Sequence, residues 1–243
     1  MRAKPASSGK RLRPGTLHAV RFPGEGKAYR AARNGLLRAE VDLRRRIETV
    51  AAMRRKLPLG GPVPQDYVFE EISGAELRRV KLSELFAPGK NTLALYSFMY
   101  GPNMAHACPL CTSMLDSLDG AAPHVAQRIN LAVVAKSPIA RMQEFAKRRG
   151  WRNLRLISSA GNGFNADYHG ETPEGVQLPM LNVFALHRGR IRHTYATELL
   201  FMPTEGGQGP RHVDSIWPLW NVLDFTREGR GTSWHPRLIY DLC

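Results

Sequence analysis

Cysteine is scarce in this chain. Three occur among 243 residues, which excludes a disulfide-stapled scaffold and fits a reducing compartment such as the cytoplasm. No apolar run is long enough to span a bilayer, so no membrane role is expected. The N-terminus is basic, but no apolar stretch with a small-residue cleavage site follows it, and a secretory signal is not expected. Internal repeats are absent. Gly161, Gly163 and Gly170 are not followed by Lys-Ser/Thr, which excludes a phosphate loop. No Ser/His/Asp arrangement is recognisable.

Acidic residues are also few: 21 against 35 Lys and Arg, a formal net charge of +14. The excess is confined. Residues 1–60 hold 16 Lys/Arg and 4 Asp/Glu, a net of +12, and the remainder is near neutral at +2. A basic arm could meet an acidic partner. A solvated basic helix accounts for the pattern better than a nucleic-acid site does.

The chain is long enough for one large domain plus an appendage, and its apolar content allows a sizeable core. Residues 1–27 are rich in Gly, Pro and basic side chains and read as a flexible leader. Leu36, Leu37, Val41, Leu43, Ile47, Val50 and Met53 then recur at helical spacing, which predicts a long amphipathic helix across residues 28–57. Pro58, Gly60, Gly61, Pro62 and Pro64 end it. Its apolar stripe needs a cover, either the rest of the chain or a partner; a homodimer through this helix is one expectation.

Beyond residue 66, β and α signals alternate. Strands are expected at 67–72, near 80–82 with Ser83 capping a helical turn, at 93–100, 129–135 and 154–158. A hairpin is expected at 181–186 and 191–197 around Arg188-Gly189. Helices are expected at 109–127, where Pro123 should kink or break the helix, at 137–149 closed by Gly150, and at 214–223. The Asn- and Gly-rich stretch 160–168 reads as a surface loop. This order predicts an α/β sandwich with a mixed sheet.

The most informative motif is Cys108-Pro109-Leu110-Cys111, at the junction of the strand 93–100 and a helix start. A thiol there meets the positive end of the helix dipole, which favours the nucleophilic thiolate. Thiol–disulfide exchange needs one exposed thiolate to attack and a second thiol to resolve the mixed disulfide. Cys108 is the candidate nucleophile and Cys111 the candidate resolving thiol. Two other readings remain: a pair of buried, inert thiols, or half of a zinc site. Zinc wants four ligands, and His106, His124, His169 and His193 form no short ligand pair. No cofactor and no metal are therefore expected. His106 reads as an exposed loop residue, Cys243 as an incidental thiol, and Trp217 with Trp220 as core.

The motif order carries a resemblance. Ala31-Ala32-Arg33, Asp66-Tyr67-Val68-Phe69, Tyr96-Ser97-Phe98-Met99-Tyr100-Gly101-Pro102, the Cys108–Cys111 motif, Ala135-Lys136-Ser137-Pro138, Arg149-Gly150-Trp151, the run 158–168, His193-Thr194-Tyr195 and Leu223-Asp224-Phe225-Thr226 resemble the DUF899 family. Its members are described as thioredoxin-like, predicted dithiol-disulfide oxidoreductases. The resemblance spans roughly residues 28–240. It implies a thioredoxin-like three-layer α/β sandwich with a mixed central sheet, residues 63–243, behind an N-terminal helix unit, residues 28–62. It implies a cytoplasmic oxidoreductase whose partners are protein or small-molecule thiols and disulfides. A scaffold that binds partners through the basic helix is the alternative. Thioredoxins have Trp before the first Cys and Pro before the strand facing it; here Ala107 and Leu181 stand there, with Pro179 nearest. Peroxiredoxins place Pro seven and Thr three residues before their reactive Cys, where this chain has Gly101 and Ala105.

Overall fold

The computed structural model describes residues 17–204, 209–231 and 234–238. Residues 1–16 of the expected leader and Cys243 lie outside the described residues. The chain divides into two compact units after Leu57. The first contains α1 (Lys27–Arg55), close to the span that apolar periodicity predicts. Gly26 precedes it in an extended conformation, and Arg54 and Arg55 in the last turn complement the helix dipole. Just before the helix, the Glu25 carboxylate accepts from Arg30 Nε at 2.7 Å.

The second unit is built on β1 (Val68–Ser73), β2 (Glu76–Lys81), β3 (Thr92–Ser97), α2 (Pro109–Val125), β4 (Asn130–Ala135), α3 (Ile139–Arg149), β5 (Leu156–Ser158), α4 (Phe164–Asp167), β6 (Leu181–His187), β7 (Arg190–Ala196) and α5 (Pro218–Leu223). The strands form one mixed sheet in the order β2-β1-β5-β4-β3-β6-β7. β3, β4 and β5 run parallel, while β6 is antiparallel to β3 and to β7. The β1–β2 hairpin joins the far edge antiparallel to β5. The inner order β4-β3-β6-β7, with α2 crossing between β3 and β4 and α5 following β7, is the thioredoxin-like arrangement that the resemblance implies.

Both faces of the sheet are covered, which is why the central strands read as unbroken apolar runs. Side chains alternate with the pleat. Tyr96, Val133 and Ala135 pack with Met114 and Leu115 of α2, Met142 and Phe145 of α3, and Trp217 and Trp220. Leu93, Leu95, Ala132 and Val134 face the other way, toward Leu82, Leu85, Phe164 and Tyr168. The second layer is made of short helical turns rather than a long helix.

Three local expectations change. The helical turn at Leu82–Leu85 is entered from Lys81, whose N–H donates to the Glu84 carboxylate at 2.6 Å. Ser83 is not its cap; its N–H and hydroxyl both donate to Asp66. The expected surface loop 160–168 instead contains α4, whose Phe164 and Asn165 are fully buried. The expected helix 214–223 is split into a turn at Asp214–Ile216 and α5, because Pro218 forces Trp217 out of helical geometry (φ −120°, ψ 88°). The hairpin turn behaves as expected, with Arg188 and Gly189 both at positive φ.

Pro123 does not break α2, which runs on to Val125. Proline cannot donate to the carbonyl of Asp119 four residues back. Asn153 Nδ2 donates to that carbonyl instead, at 3.1 Å. The buried Asp119 carboxylate in turn accepts the N–H groups of Arg152, Asn153 and Leu154 at 3.0, 2.8 and 3.0 Å. This one residue ties α2 to the segment entering β5. Asp119→Ala should therefore cost about 2–3 kcal/mol of stability in urea unfolding, since buried donors lose their acceptor. A loss below about 0.5 kcal/mol would mean that water replaces the carboxylate at no cost.

Candidate active site

β3 ends at the carboxyl edge of the parallel strands, the edge at which α/β sheets present ligand sites. The chain then loops through residues 98–107 and enters α2. Several bonds hold the loop. Phe98 N–H donates to Val134 O (2.8 Å), Ser137 N–H to Tyr100 O (3.0 Å), and Cys108 N–H to Met99 O (3.1 Å). From α3, the Arg141 guanidinium donates to the carbonyls of Gly101 (3.1 Å), Pro102 (3.3 Å), Met104 and Ala105 (3.2 Å). It lies over the Tyr100 ring, 4.3 Å from its centroid.

Cys108 is the N-cap of α2, and Pro109 takes the first helical position, where its missing N–H has no cost. Cys111 N–H donates to Cys108 Sγ at 3.4 Å. The Cys108 carbonyl accepts from both the N–H and the hydroxyl of Thr112, at 3.0 and 2.8 Å. Both thiols are free; Cys108 is half-buried and Cys111 is buried.

The two sulfurs have opposite electrostatics. The Cys108 thiol is pulled down to about 6, first by a hydrogen bond from the Cys111 thiol and then by the N–H groups of Cys111 and Leu110, against the opposing effect of burial. Cys111 is pushed well above the ordinary thiol range by the bond to Cys108, by burial and by the neighbouring negative charge. A thiolate and a protonated thiol side by side are what an attacking and a resolving sulfur require. Tyr96, from β3, borders the same cavity as the two thiols, and its own ionisation is strongly suppressed, first by burial and then by the neighbouring sulfurs. Tyr96 is thus part of the site, although in sequence it stands in an apolar strand run. Its one signal is a polar tip at the end of the strand that leads to the dithiol.

A cavity of about 530 Å³ opens beside Cys108, with Tyr96, Met99, Leu110, Pro179, Trp217 and Trp220 in its wall. Pro179, two residues before β6, therefore borders the dithiol even though Leu181 occupies the strand start. The half-buried His212 ring donates from Nε2 to Pro179 O at 2.6 Å, and its pKa is lowered chiefly by desolvation, so it is neutral at pH 7. Trp217 joins α5 to α2 through a bond from its indole N–H to Ser113 Oγ (3.1 Å). Trp217 and Trp220 are core residues, as expected, and cavity wall as well.

Other sequence candidates lie elsewhere. His106 is exposed, and His169 is not part of the cavity. The family-motif residues Asn162, Asn165, Asp167, Tyr168 and His193 do not line it either. Asn162 donates to Val68 O (2.7 Å), Asn165 accepts from Ser159 (2.7 Å), and Asp167 accepts from Tyr67 (2.5 Å). His193 Nε2 bonds the Asn182 amide oxygen at 2.9 Å beneath Tyr168. Among the described residues no cluster of three or more His, Cys, Asp or Glu is placed to hold a metal, and no helix is long and apolar enough to cross a membrane.

Fold and site together define a thioredoxin-like protein with two thiols at the first turn of the helix that follows its central strand. A family model described as bacterial protein of unknown function (DUF899) matches residues 20–240, and the chain belongs to that family. No curated protein matches it. Among solved structures, it is similar to thioredoxin peroxidase I of Plasmodium yoelii, with 20% identity over 69% of this chain and 91% of that one and a TM-score of 0.43. It is similar to peroxidoxin BcpB of Mycobacterium tuberculosis, with 17% identity over 69% and 98% and a TM-score of 0.41. A pneumococcal lipoprotein thioredoxin from Streptococcus pneumoniae matches at 12% identity over 64% of this chain and 99% of that one, at a TM-score of 0.40.

Ionisation of Cys108 sets a pH profile. Alkylation of the reduced protein by iodoacetamide should rise with pH through a midpoint near 6, because only the thiolate reacts. Peptide mapping should place the label on Cys108, with Cys111 unlabelled while folded. Cys111→Ala removes the strongest stabilising bond and should move the midpoint up by about one unit or more. A wild-type midpoint near 8.5, the value of about 8.5 for a free thiol, would contradict the geometry.

Proposed function

We propose that this protein is a thiol–disulfide oxidoreductase in which Cys108 attacks and Cys111 resolves. The reading rests on a half-buried thiolate capping a helix, hydrogen-bonded to a buried thiol that keeps its proton. In the reductive direction, Cys108 Sγ attacks one sulfur of a substrate disulfide, whose S–S bond breaks and whose other sulfur leaves as thiolate. Cys111 then gives up its proton and attacks Cys108 Sγ. The second substrate thiolate leaves, and a Cys108–Cys111 disulfide remains. An external dithiol reduces it again. Tyr96, which lowers the Cys111 pKa, steadies that sulfur as its charge develops.

The scarcity of cysteine, three in 243 residues, supports work in a reducing compartment such as the cytoplasm. The neutral His212 holds the Pro179 wall and carries no charge into the exchange.

Turnover with a disulfide substrate and dithiothreitol tests the assignment. Cys108→Ser should lower the rate at least about a hundredfold. Cys111→Ser should accumulate a mixed disulfide on Cys108, seen as an added mass that dithiothreitol removes. Undiminished turnover in Cys108→Ser would refute the proposal.

A second role is proposed for α1. Leu36, Leu43 and Ile47 are exposed apolar side chains on one helix beside Arg44, Arg45 and Arg46, which supports contact with a partner, including a second copy. In the full chain, Leu36→Asp with Leu43→Asp should shift a dimer to monomer in sedimentation experiments. A wild-type protein monomeric at high concentration excludes the dimer.

A further inference from the structure

The cavity beside Cys108 is more elaborate than thiol exchange alone demands. Its volume, about 530 Å³, is that of a small-molecule site. Trp217 and Trp220 meet edge-on with centroids 5.5 Å apart, and Trp220 meets Trp234 at 5.9 Å and 88°. Met99 and Leu110 add flexible apolar wall next to the sulfur. Edge-to-face aromatic walls favour another flat ring.

The charged groups at the cavity are engaged with one another. Arg230 pairs with Asp214 (2.7 Å) and Asp224 (2.6 Å), and Arg211 pairs with Asp214 (2.6 Å). Two arginines thus balance two carboxylates. When Cys108 ionises, the thiolate makes the cavity net negative, which disfavours an anionic ligand.

We propose that this site takes a low-molecular-weight, uncharged aromatic disulfide, seated against Trp217 and Trp220 with one sulfur at Cys108. The proposal rests on the oxidoreductase reading and names its substrate class. Exchange gives two aromatic thiols and the Cys108–Cys111 disulfide: the substrate is reduced by two electrons, and the two protein thiols supply both electrons and, through solvent, both protons. A small dithiol returns the protein to its reduced form. Ring stacking fixes the substrate before the bond forms, so the reaction saturates with concentration, which a simple bimolecular exchange does not.

The test compares two probes of similar size, uncharged dithiodipyridine and dianionic dithiobis(nitrobenzoate), each reacted with the reduced full chain and with a short Cys-Pro-Leu-Cys peptide. Relative to the peptide, the protein should favour the uncharged probe by about tenfold or more, and its rate should saturate. Thioanisole, an uncharged aromatic thioether that cannot exchange, should alter tryptophan emission and slow dithiodipyridine competitively. Leu110→Glu, with an acidic residue in the first turn of α2 where the helix tolerates it, should lose both effects. A protein with the peptide's probe ratio, or one unaffected by millimolar thioanisole, overturns the substrate class. Wild-type thioanisole binding in Leu110→Glu does the same. A redox-active protein without thioanisole binding leaves the oxidoreductase reading standing, whereas an inert dithiol overturns both.

Discussion

The site depends on the pairing of two sulfurs at a helix start, where Cys108 Sγ accepts from the Cys111 N–H at 3.4 Å. The pairing lowers the Cys108 pKa and raises that of Cys111, so proximity separates the acidities of two chemically identical side chains. The helix geometry makes it possible. With Cys108 as N-cap, a residue three positions later has its N–H directed back at the cap, and its side chain follows. The central strand supplies the depth: β3 delivers Tyr96 beneath Cys111 and the loop above it. Burial then keeps the proton on Cys111 and opposes the charge on Cys108, and the N–H groups at the helix start help to offset that opposition.

Sequence reasoning reached the dithiol because its signal is local: two cysteines, a proline and a strand-to-helix junction. The strands were equally legible, since burial on both faces leaves a continuous apolar text. The departures arose where distant residues decide. Asn153 completes the helix turn that Pro123 interrupts, from 30 residues away in sequence. Ser83 looked like a cap until Asp66 proved to bind it. The stretch 160–168 reads as polar turns, yet Phe164 anchors it in the core and Asn165 finds buried partners in Ser159 and Gln177. Arg141 carries no local mark at all and Tyr96 only a faint one, because their importance lies in what the fold brings to them.

Most polar motif residues of the family serve one layer of the fold. Asn162, Asp167, Tyr168 and His193 work within the layer opposite the long helices, tying loops to β1 and β6 through specific bonds. Buried polar groups that are fully bonded specify one packing of a core. Lys136 and Glu171 are paired at 2.5 Å, and Gln177 donates to the same carboxylate. These contacts set the carboxyl edge from which the dithiol loop departs.

Arg141 holds that loop by main-chain oxygens and the face of one ring. Carbonyl oxygens are the same whatever side chain follows them. The support is therefore blind to the identities at residues 101–105, provided the path is kept. Gly101 and Met104 are the exceptions: a Cβ at Gly101 would meet Gln177 at 3.0 Å, and Met104 Sδ accepts from the Gly101 N–H at 3.2 Å. In descent from a common ancestor, the other residues of this loop can be exchanged one at a time while the anchorage persists. A lineage built this way can vary the approach to its dithiol without rebuilding the frame beneath it.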